Sequence, residues 1–264
     1  MIYIQIKDMG ALTIVFTVLI IILFFRLLKY LVSDPNTLQS LQDGKTASTI
    51  DATSLATNDS NVASSNFAYS CWFYVNDWNY RYGEPKVIFG RMGAKSSPEG
   101  GSLGDGISGL DPCPAVILGA VENNLMVALG CYPGADNEPD NSGGKTVIHK
   151  CGVSNIPIQK WVNLIISVYG RTMDLYIDGK LVRTCLLPGV ASVNNNANIY
   201  VTPKGGFDGW TSKIEYYPDS LNPQDAWNIY IKGYSGNFLS NLFGSYQIEI
   251  SLIENGTTQN SVTI

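Results

Sequence analysis

Residues 161–185 read WVNLIISVYGRTMDLYIDGKLVRTC, and this stretch decides the fold class. Of its first nine residues all but Asn163 and Ser167 are β-branched, aliphatic or aromatic, which is a strand composition. Asp178-Gly179 separates MDLYI from KLVRTC, and Asp-Gly is a favoured type I′ hairpin turn. Strands are therefore expected at 161–169, 172–178 and 180–186. Within the hairpin Leu175 and Ile177 alternate with Asp174 and Tyr176, so one face is wetter than the other.

Working outward, the same texture extends in both directions. Short apolar runs separated by turn residues recur at roughly 8–12-residue spacing, the pattern of a sandwich or barrel. It predicts strands near 67–75, 86–91, 114–119, 125–131, 146–150, 198–202, 210–217 and 245–253. A second hairpin has Val121-Glu122-Asn123-Asn124 between PAVILG and LMVALG. One helix is expected. Asn222 caps it, Pro223 fits its first turn, Ala226, Trp227, Ile229 and Tyr230 form its apolar side, and Gly233 ends it.

A chain of 264 residues has room for one large domain with appendages, or for two small ones. It is 45% hydrophobic and 15% charged, with a net charge of -5. Its Lys and Arg are scattered singly. A nucleic-acid partner is not expected, because phosphate neutralisation needs clustered cations.

The amino terminus has a different character. Met9–Phe25 carries no charge and, as a helix at about 1.5 Å per residue, extends roughly 26 Å. Leu12, Ile14, Phe16, Leu19, Ile22 and Phe25 are its apolar anchor residues, and Arg26 and Lys29 can snorkel at its end. The run lacks the polar face of a core helix, and no small-residue cleavage site follows it, so a single-pass transmembrane anchor is expected. Arg26 and Lys29 place the larger part on the cytosolic side by the positive-inside rule. Residues 33–65 are small and polar and read as a linker or extended arm. The expected division is an anchor at 1–32, an arm at 33–65, a β domain at 66–233 and a strand-bearing extension at 234–264.

Signs of catalysis are few. Retaining and inverting glycosidases need two carboxylates flanking the scissile bond. Among the glutamates, only Glu138 has a second carboxylate two residues on, Asp140, in the loop GADNEPDNSGG beside a proline. The only histidine is His149, in the strand-like run TVIHKC, where a partly exposed strand residue is the stronger reading than a catalytic base. No nucleophile elbow, phosphate loop or dinucleotide fingerprint is present. No enzyme activity and no cofactor are expected. Calcium needs several clustered oxygen ligands. Asp136, Glu138 and Asp140 are weak candidates, as are Asp105 and Asp111, and a solvated acidic loop explains them better.

The five cysteines form no CxxC pair, which argues against a zinc knuckle or a thioredoxin-like site. If the 114–131 hairpin turns about residue 122, Cys113 falls opposite Cys131 and a cross-strand disulfide is possible. Cys151 and Cys185 then form a candidate second pair, with Cys71 left free. The alternative is five reduced thiols. Among the aromatics, Trp78, Tyr80 and Tyr82 follow a strand and are candidates for a glycan platform or protein contact, against the competing reading of rim packing. Trp72 is assigned to the core.

Two segments together resemble the laminin-G-like, concanavalin A-like lectin/glucanase superfamily: WVNLIISVYGRTMDLYIDGKLVRTC, with its lYiDGklv-type hairpin, and FDGWTSKIEYYPDSLNPQDAWNIYIKG at 207–233. The resemblance covers 66–233. It implies a mainly β, two-sheet antiparallel jelly-roll sandwich, to which the anchor and a short carboxy-terminal helix and strand are added. The fold hosts lectins, glucanases, adhesion modules and structural proteins, so it does not fix the function. The anchor, VNNNANIYVTPKGGFDGW and NPQDAWNIYIKGYSGNFLSNLFGSYQIEISL also resemble virion proteins of large DNA viruses of algae and protists. That resemblance implies a membrane-anchored minor capsid protein at the interface of inner membrane and capsid. Its partners would be the lipid bilayer, the major capsid protein and other minor capsid proteins. The alternative expectation is a membrane-tethered glycan-binding lectin or adhesion module.

Overall fold

The computed structural model describes residues 36–55, 65–93, 111–133 and 146–234, the strands at 249–254 and 257–263, and isolated positions between 16 and 26. The chain divides into two units, one of residues 35–236 and one of 1–34 with 237–264.

The larger unit is a two-sheet antiparallel sandwich. Its strands are β1 (Thr37–Gln39), β2 (Gln42–Asp43), β3 (Ser48–Ile50), β4 (Phe67–Asp77), β5 (Lys86–Gly93), β6 (Asp111–Leu118) and β7 (Asn124–Cys131). They are followed by β8 (Val147–Ser154), β9 (Trp161–Tyr169), β10 (Thr172–Ile177), β11 (Lys180–Leu186), β12 (Ile199–Val201) and β13 (Asp208–Tyr217). One sheet is seven-stranded in the order β1-β13-β4-β9-β10-β11, with β2 also pairing with β13. The other is six-stranded in the order β3-β12-β5-β6-β7-β8. In the smaller unit β14 (Glu249–Glu254) and β15 (Thr257–Thr263) form an antiparallel hairpin.

Strand alternation builds the core. Phe67, Tyr69, Cys71, Phe73 and Val75 of β4 face inward with Val162, Leu164, Ile166 and Val168 of β9. They meet Val116 and Leu118 of β6 and Leu125, Val127 and Leu129 of β7. Full burial of each such side chain contributes roughly 1.5–3 kcal/mol. The hairpin expected at Asp178-Gly179 is present, with φ of 50° and 71° at its two central residues, as a type I′ turn requires.

The expected helix is α1 (Pro223–Ile231). The Asn222 side chain accepts from the backbone N–H groups of Gln224 and Asp225, and the Asp225 carboxylate accepts from the Asn222 N–H. Ala226 and Ile229 pack against Ile165 and Tyr176 on the outer face of the seven-stranded sheet. The β10–β11 turn supports the same helix. A Cβ on Gly179 would lie 3.0 Å from Trp227 and from Tyr230, so the turn needs glycine both for its φ and for helix docking.

Two expectations change, those for the arm and for the Cys113–Cys131 bridge. Residues 36–55 are not a free arm. β1 and β2 extend the seven-stranded sheet and β3 the six-stranded one. Backbone ladders hold these strands, so their side chains stay polar. Ser48 Oγ donates to Gln42 at 2.8 Å, and the Ala52 N–H donates to Asn198 at 2.9 Å. Leu38, Ile50 and Leu55 supply the few core contacts.

The Cys113–Cys131 bridge is also corrected: both are buried free thiols, as is Cys71. The β6–β7 hairpin pairs Ala115 with Ala128 and Leu118 with Leu125. Continuing that register puts Gly130, not Cys131, opposite Cys113. Cys151 and Cys185 are disulfide-bonded, with Cα atoms 6.3 Å apart. That bond joins β8 to β11, the open edges of the two sheets at one side of the sandwich.

The amino terminus is described only at isolated positions. Phe16, Leu19, Ile20, Leu23 and Arg26 are helical. Among the described residues no helix is long and apolar enough to cross a membrane. The rest of the expected anchor, including Leu12, Ile14, Ile22 and Phe25, lies outside them.

Candidate ligand-binding face

The outer face of the seven-stranded sheet carries an aromatic stripe. The residues of β4 that alternate with its core-facing set are Ser70, Trp72 and Tyr74. On β9 they are Trp161, Asn163 and Ile165. Strand register aligns them in rows. Trp210 of β13 pairs with Tyr74, which pairs with Trp161; Ser212 pairs with Trp72, which pairs with Asn163. Ring centroids are 5.5 Å apart for Trp210–Tyr74 and 5.8 Å for Tyr74–Trp161. Helix α1 and the residues after it complete the line. Tyr234 stacks on Trp161 at 4.4 Å and lies 6.1 Å from Trp72. Tyr230 stacks on Trp72 at 5.7 Å and meets Trp227 at 5.5 Å.

This is a continuous line of rings from Trp210 to Trp227, at distances where aromatic pairs attract beyond their area burial. Trp72 is 4% exposed and acts as its floor, whereas Trp210, Tyr234 and Trp227 are 41–42% exposed. Polar groups flank it. Lys160, next to Trp161, pairs with Asp178 at 3.1 Å. Asp208 takes Lys45 at 2.5 Å and a hydrogen bond from Asn76 at 2.9 Å. These donors hold the Asp208 carboxyl below its ordinary range. In the floor the Asn163 amide donates to Ser70 Oγ at 3.2 Å, while Trp72 Nε1 and Asn163 Oδ1 have no hydrogen-bond partner.

The aromatic residues singled out in the sequence behave differently. Trp78 packs partly on the core, donates to the Val121 carbonyl at 3.3 Å, and has Lys86 Nζ 5.1 Å from its ring. Tyr80 takes Lys45 Nζ at 4.9 Å. Tyr82 is 59% exposed. Among the described residues no ring contact joins the three, so they form no shared platform. Trp72 belongs to the outer stripe rather than to the inter-sheet core.

The remaining candidates are quickly placed. His149 lies half-buried on β8, where burial and Arg183 push its pKa down. Asp136, Glu138, Asp140 and Asp105 lie outside the described residues. Asp111 accepts from Thr146 Oγ1 at 3.1 Å. No cluster of three metal-ligating side chains occurs among the described residues. The buried Glu215 is engaged by Lys213 at 3.5 Å and by the Tyr217 hydroxyl at 3.1 Å. A cleft of about 390 Å³ lies on the six-stranded sheet, lined by Ile117, Met126, Gly152 and Arg183 among others. The Arg183 guanidinium there donates to the Gly152 carbonyl at 2.6 Å.

Fold and face together define a two-sheet β-sandwich with an aromatic stripe on one outer face. No protein-family model matches the chain, and no curated protein matches it. Among solved structures, it is similar to the binding domain of botulinum neurotoxin DC in complex with rat synaptotagmin II, at 16% identity and a TM-score of 0.48. The similarity covers 70% of this chain and 40% of that one. The receptor-binding domain of the botulinum neurotoxin C/D mosaic serotype aligns at 15% identity and a TM-score of 0.48, over 75% of this chain and 45% of that one. The chain spans less than half the length of either. At such identity and overlap, the functional reading rests on this chain's own geometry.

Proposed function

We propose that this chain is a non-catalytic glycan-recognition module that binds the flat faces of sugar rings along the outer aromatic stripe. The observation that carries this reading is the unbroken line of rings Trp210–Tyr74–Trp161–Tyr234–Trp72–Tyr230–Trp227 on a sheet face. Aromatic rings present an apolar face that matches the C–H face of a pyranose, and few side-chain torsions are lost on binding. The polar rim of Lys160, Asp178 and Asn76 supplies donors and acceptors for the outward hydroxyls. The row Trp210–Tyr74–Trp161 across three adjacent strands suits an extended glycan better than a compact one. The test is an oligosaccharide array probed with the wild type and with Trp210→Ala. Binding to β-linked oligomers that Trp210→Ala removes supports the reading. An array without a signal sinks it.

A second reading is favoured by one sequence observation, the uncharged run Met9–Phe25. In it the sandwich is the docking head of a membrane-anchored minor capsid protein, its aromatic stripe seated on a protein shell above the bilayer. Trp and Tyr also dominate protein–protein hot spots, so the surface serves either partner. Extraction of purified particles with mild detergent, followed by mass spectrometry of membrane and shell fractions, tests it. Absence from the particles contradicts it.

A further inference from the structure

One ring of the stripe differs from the others in how it is held. Trp72, Tyr74, Trp161 and Trp210 stand on strands, and Trp227 and Tyr230 on α1. Tyr234 instead lies beyond the helix, after Gly233, whose φ is 76°. Its carbonyl accepts from Ser212 Oγ at 2.8 Å, and its side chain is laid on Trp161 at 4.4 Å with the two planes 9° apart. That parallel cover is the arrangement a bound pyranose takes on an indole. Tyr234 also reaches Trp72, in the floor. There Trp72 Nε1 and Asn163 Oδ1, on directly paired strand positions, are a buried donor and a buried acceptor without partners. Trp72 is 4% exposed and Asn163 0%. Each such orphan destabilises the fold unless something bonds to it. A hydroxyl both donates and accepts, so the hydroxyls of a sugar match this pair.

Resting on the glycan reading above, we propose that Tyr234 is a ring held in the place of a sugar, and that the Gly233–Tyr234 strap covers the deepest subsite of the stripe. When the strap swings away, breaking the Ser212–Tyr234 bond, a pyranose ring stacks on Trp161. One of its hydroxyls accepts from Trp72 Nε1–H, and another donates to Asn163 Oδ1. Trp161, Trp72 and Asn163 are then ligand-binding residues, and Ser212 is a positioning residue that sets how often the subsite is open. A site open for only a fraction of the time binds with its intrinsic affinity reduced by that fraction.

The test is calorimetric titration of cellohexaose and of chitohexaose into the full-length protein and its Tyr234→Ala, Tyr234→Phe and Ser212→Ala variants, with near-ultraviolet circular dichroism as the folding control. For a strap closed roughly nine-tenths of the time, Tyr234→Ala binds about tenfold tighter than the wild type. Ser212→Ala, which keeps the ring and loosens its tie, binds about threefold tighter by the same relation, and Tyr234→Phe binds as the wild type does. If the wild type binds and Tyr234→Ala binds equally or more weakly, Tyr234 is an ordinary platform ring and the covered subsite is overturned while the glycan reading stands. If neither the wild type nor Tyr234→Ala binds either sugar, both fall. Should Tyr234→Ala not fold, Ser212→Ala decides alone, with unchanged or weaker binding overturning the proposal.

Discussion

Two groups of aromatic residues make an instructive contrast. Trp78, Tyr80 and Tyr82 are close in sequence, yet their rings go separate ways, to the core, to Lys45 and to solvent. Trp72, Tyr74, Trp161, Trp210 and Tyr234 are spread over more than half the chain, yet their rings touch. The difference is secondary structure. The first group sits in a turn, where consecutive side chains diverge. Four of the second sit on one parity of adjacent strands, where register sets the spacing, and Tyr234 is laid on them from beyond α1. The first group therefore closes one end of the sandwich, and the second makes a surface.

This contrast can be broken most severely at Trp78. Trp78→Ala removes a half-buried ring and exposes Lys86, with an expected loss of about 2–3 kcal/mol by chemical denaturation. Glycan affinity should stay within about twofold of wild type, since no contact links Trp78 to the stripe. A smaller loss is expected from Gly179→Ala. The added Cβ forces a left-handed residue and presses on Trp227 and Tyr230 at 3.0 Å, costing about 1–2 kcal/mol. Because α1 carries part of the stripe, this variant should weaken glycan binding as well, which Trp78→Ala should not.

Lys86→Met should go the other way. Lys86 is 1% exposed, and its Nζ has no hydrogen-bond partner. Burial lowers its pKa, so the folded state is penalised for holding the charge at neutral pH, and the penalty fades as pH rises through the folded value toward the ordinary lysine range. The cation–π contact with Trp78 offsets part of the cost. A gain of about 1 kcal/mol is expected in a denaturant titration, and a loss would mean that the contact with Trp78 outweighs burial.

The smallest effect belongs to the Lys45–Asp208 pair at the rim. The Asp208 pKa is depressed, chiefly by its hydrogen bond with Lys45, and the Lys45 pKa is raised by the same contact. The contribution of Asp208 is therefore present above the ordinary carboxylate range and lost as pH falls through its depressed value. That of Lys45 is present below the ordinary lysine value and lost as pH rises through its raised one. Melting temperature against pH should show a slight fall on the acid side that Asp208→Asn reduces. An identical acid limb in both proteins would remove the pair from the account.

The same contrast explains what was readable in the sequence. Strand 161–169, the Asp178-Gly179 turn and the Asn222-capped helix were legible because each is specified locally, by composition, turn chemistry or capping. Strands β1, β2 and β3 were not, because edge strands bonded through the backbone need no apolar pattern. The Cys113–Cys131 pairing failed on a one-residue difference in hairpin register, which the sequence of a five-residue loop does not specify. The stripe itself was hidden, since its assembly depends on the order β13-β4-β9. One signal was present: Trp72 and Tyr74 share parity in SCWFYV, which puts two rings on one face of a strand.

Titration of cellohexaose and chitohexaose into Trp210→Ala and Trp78→Ala, side by side with the wild type, separates binding on the stripe from binding at the end of the sandwich. Binding on the stripe predicts that Trp210→Ala loses at least about fivefold in affinity, since stacking on one ring contributes about 1–3 kcal/mol, while Trp78→Ala keeps wild-type affinity. Affinity lost in Trp78→Ala and kept in Trp210→Ala would contradict it and return the site to the end of the sandwich.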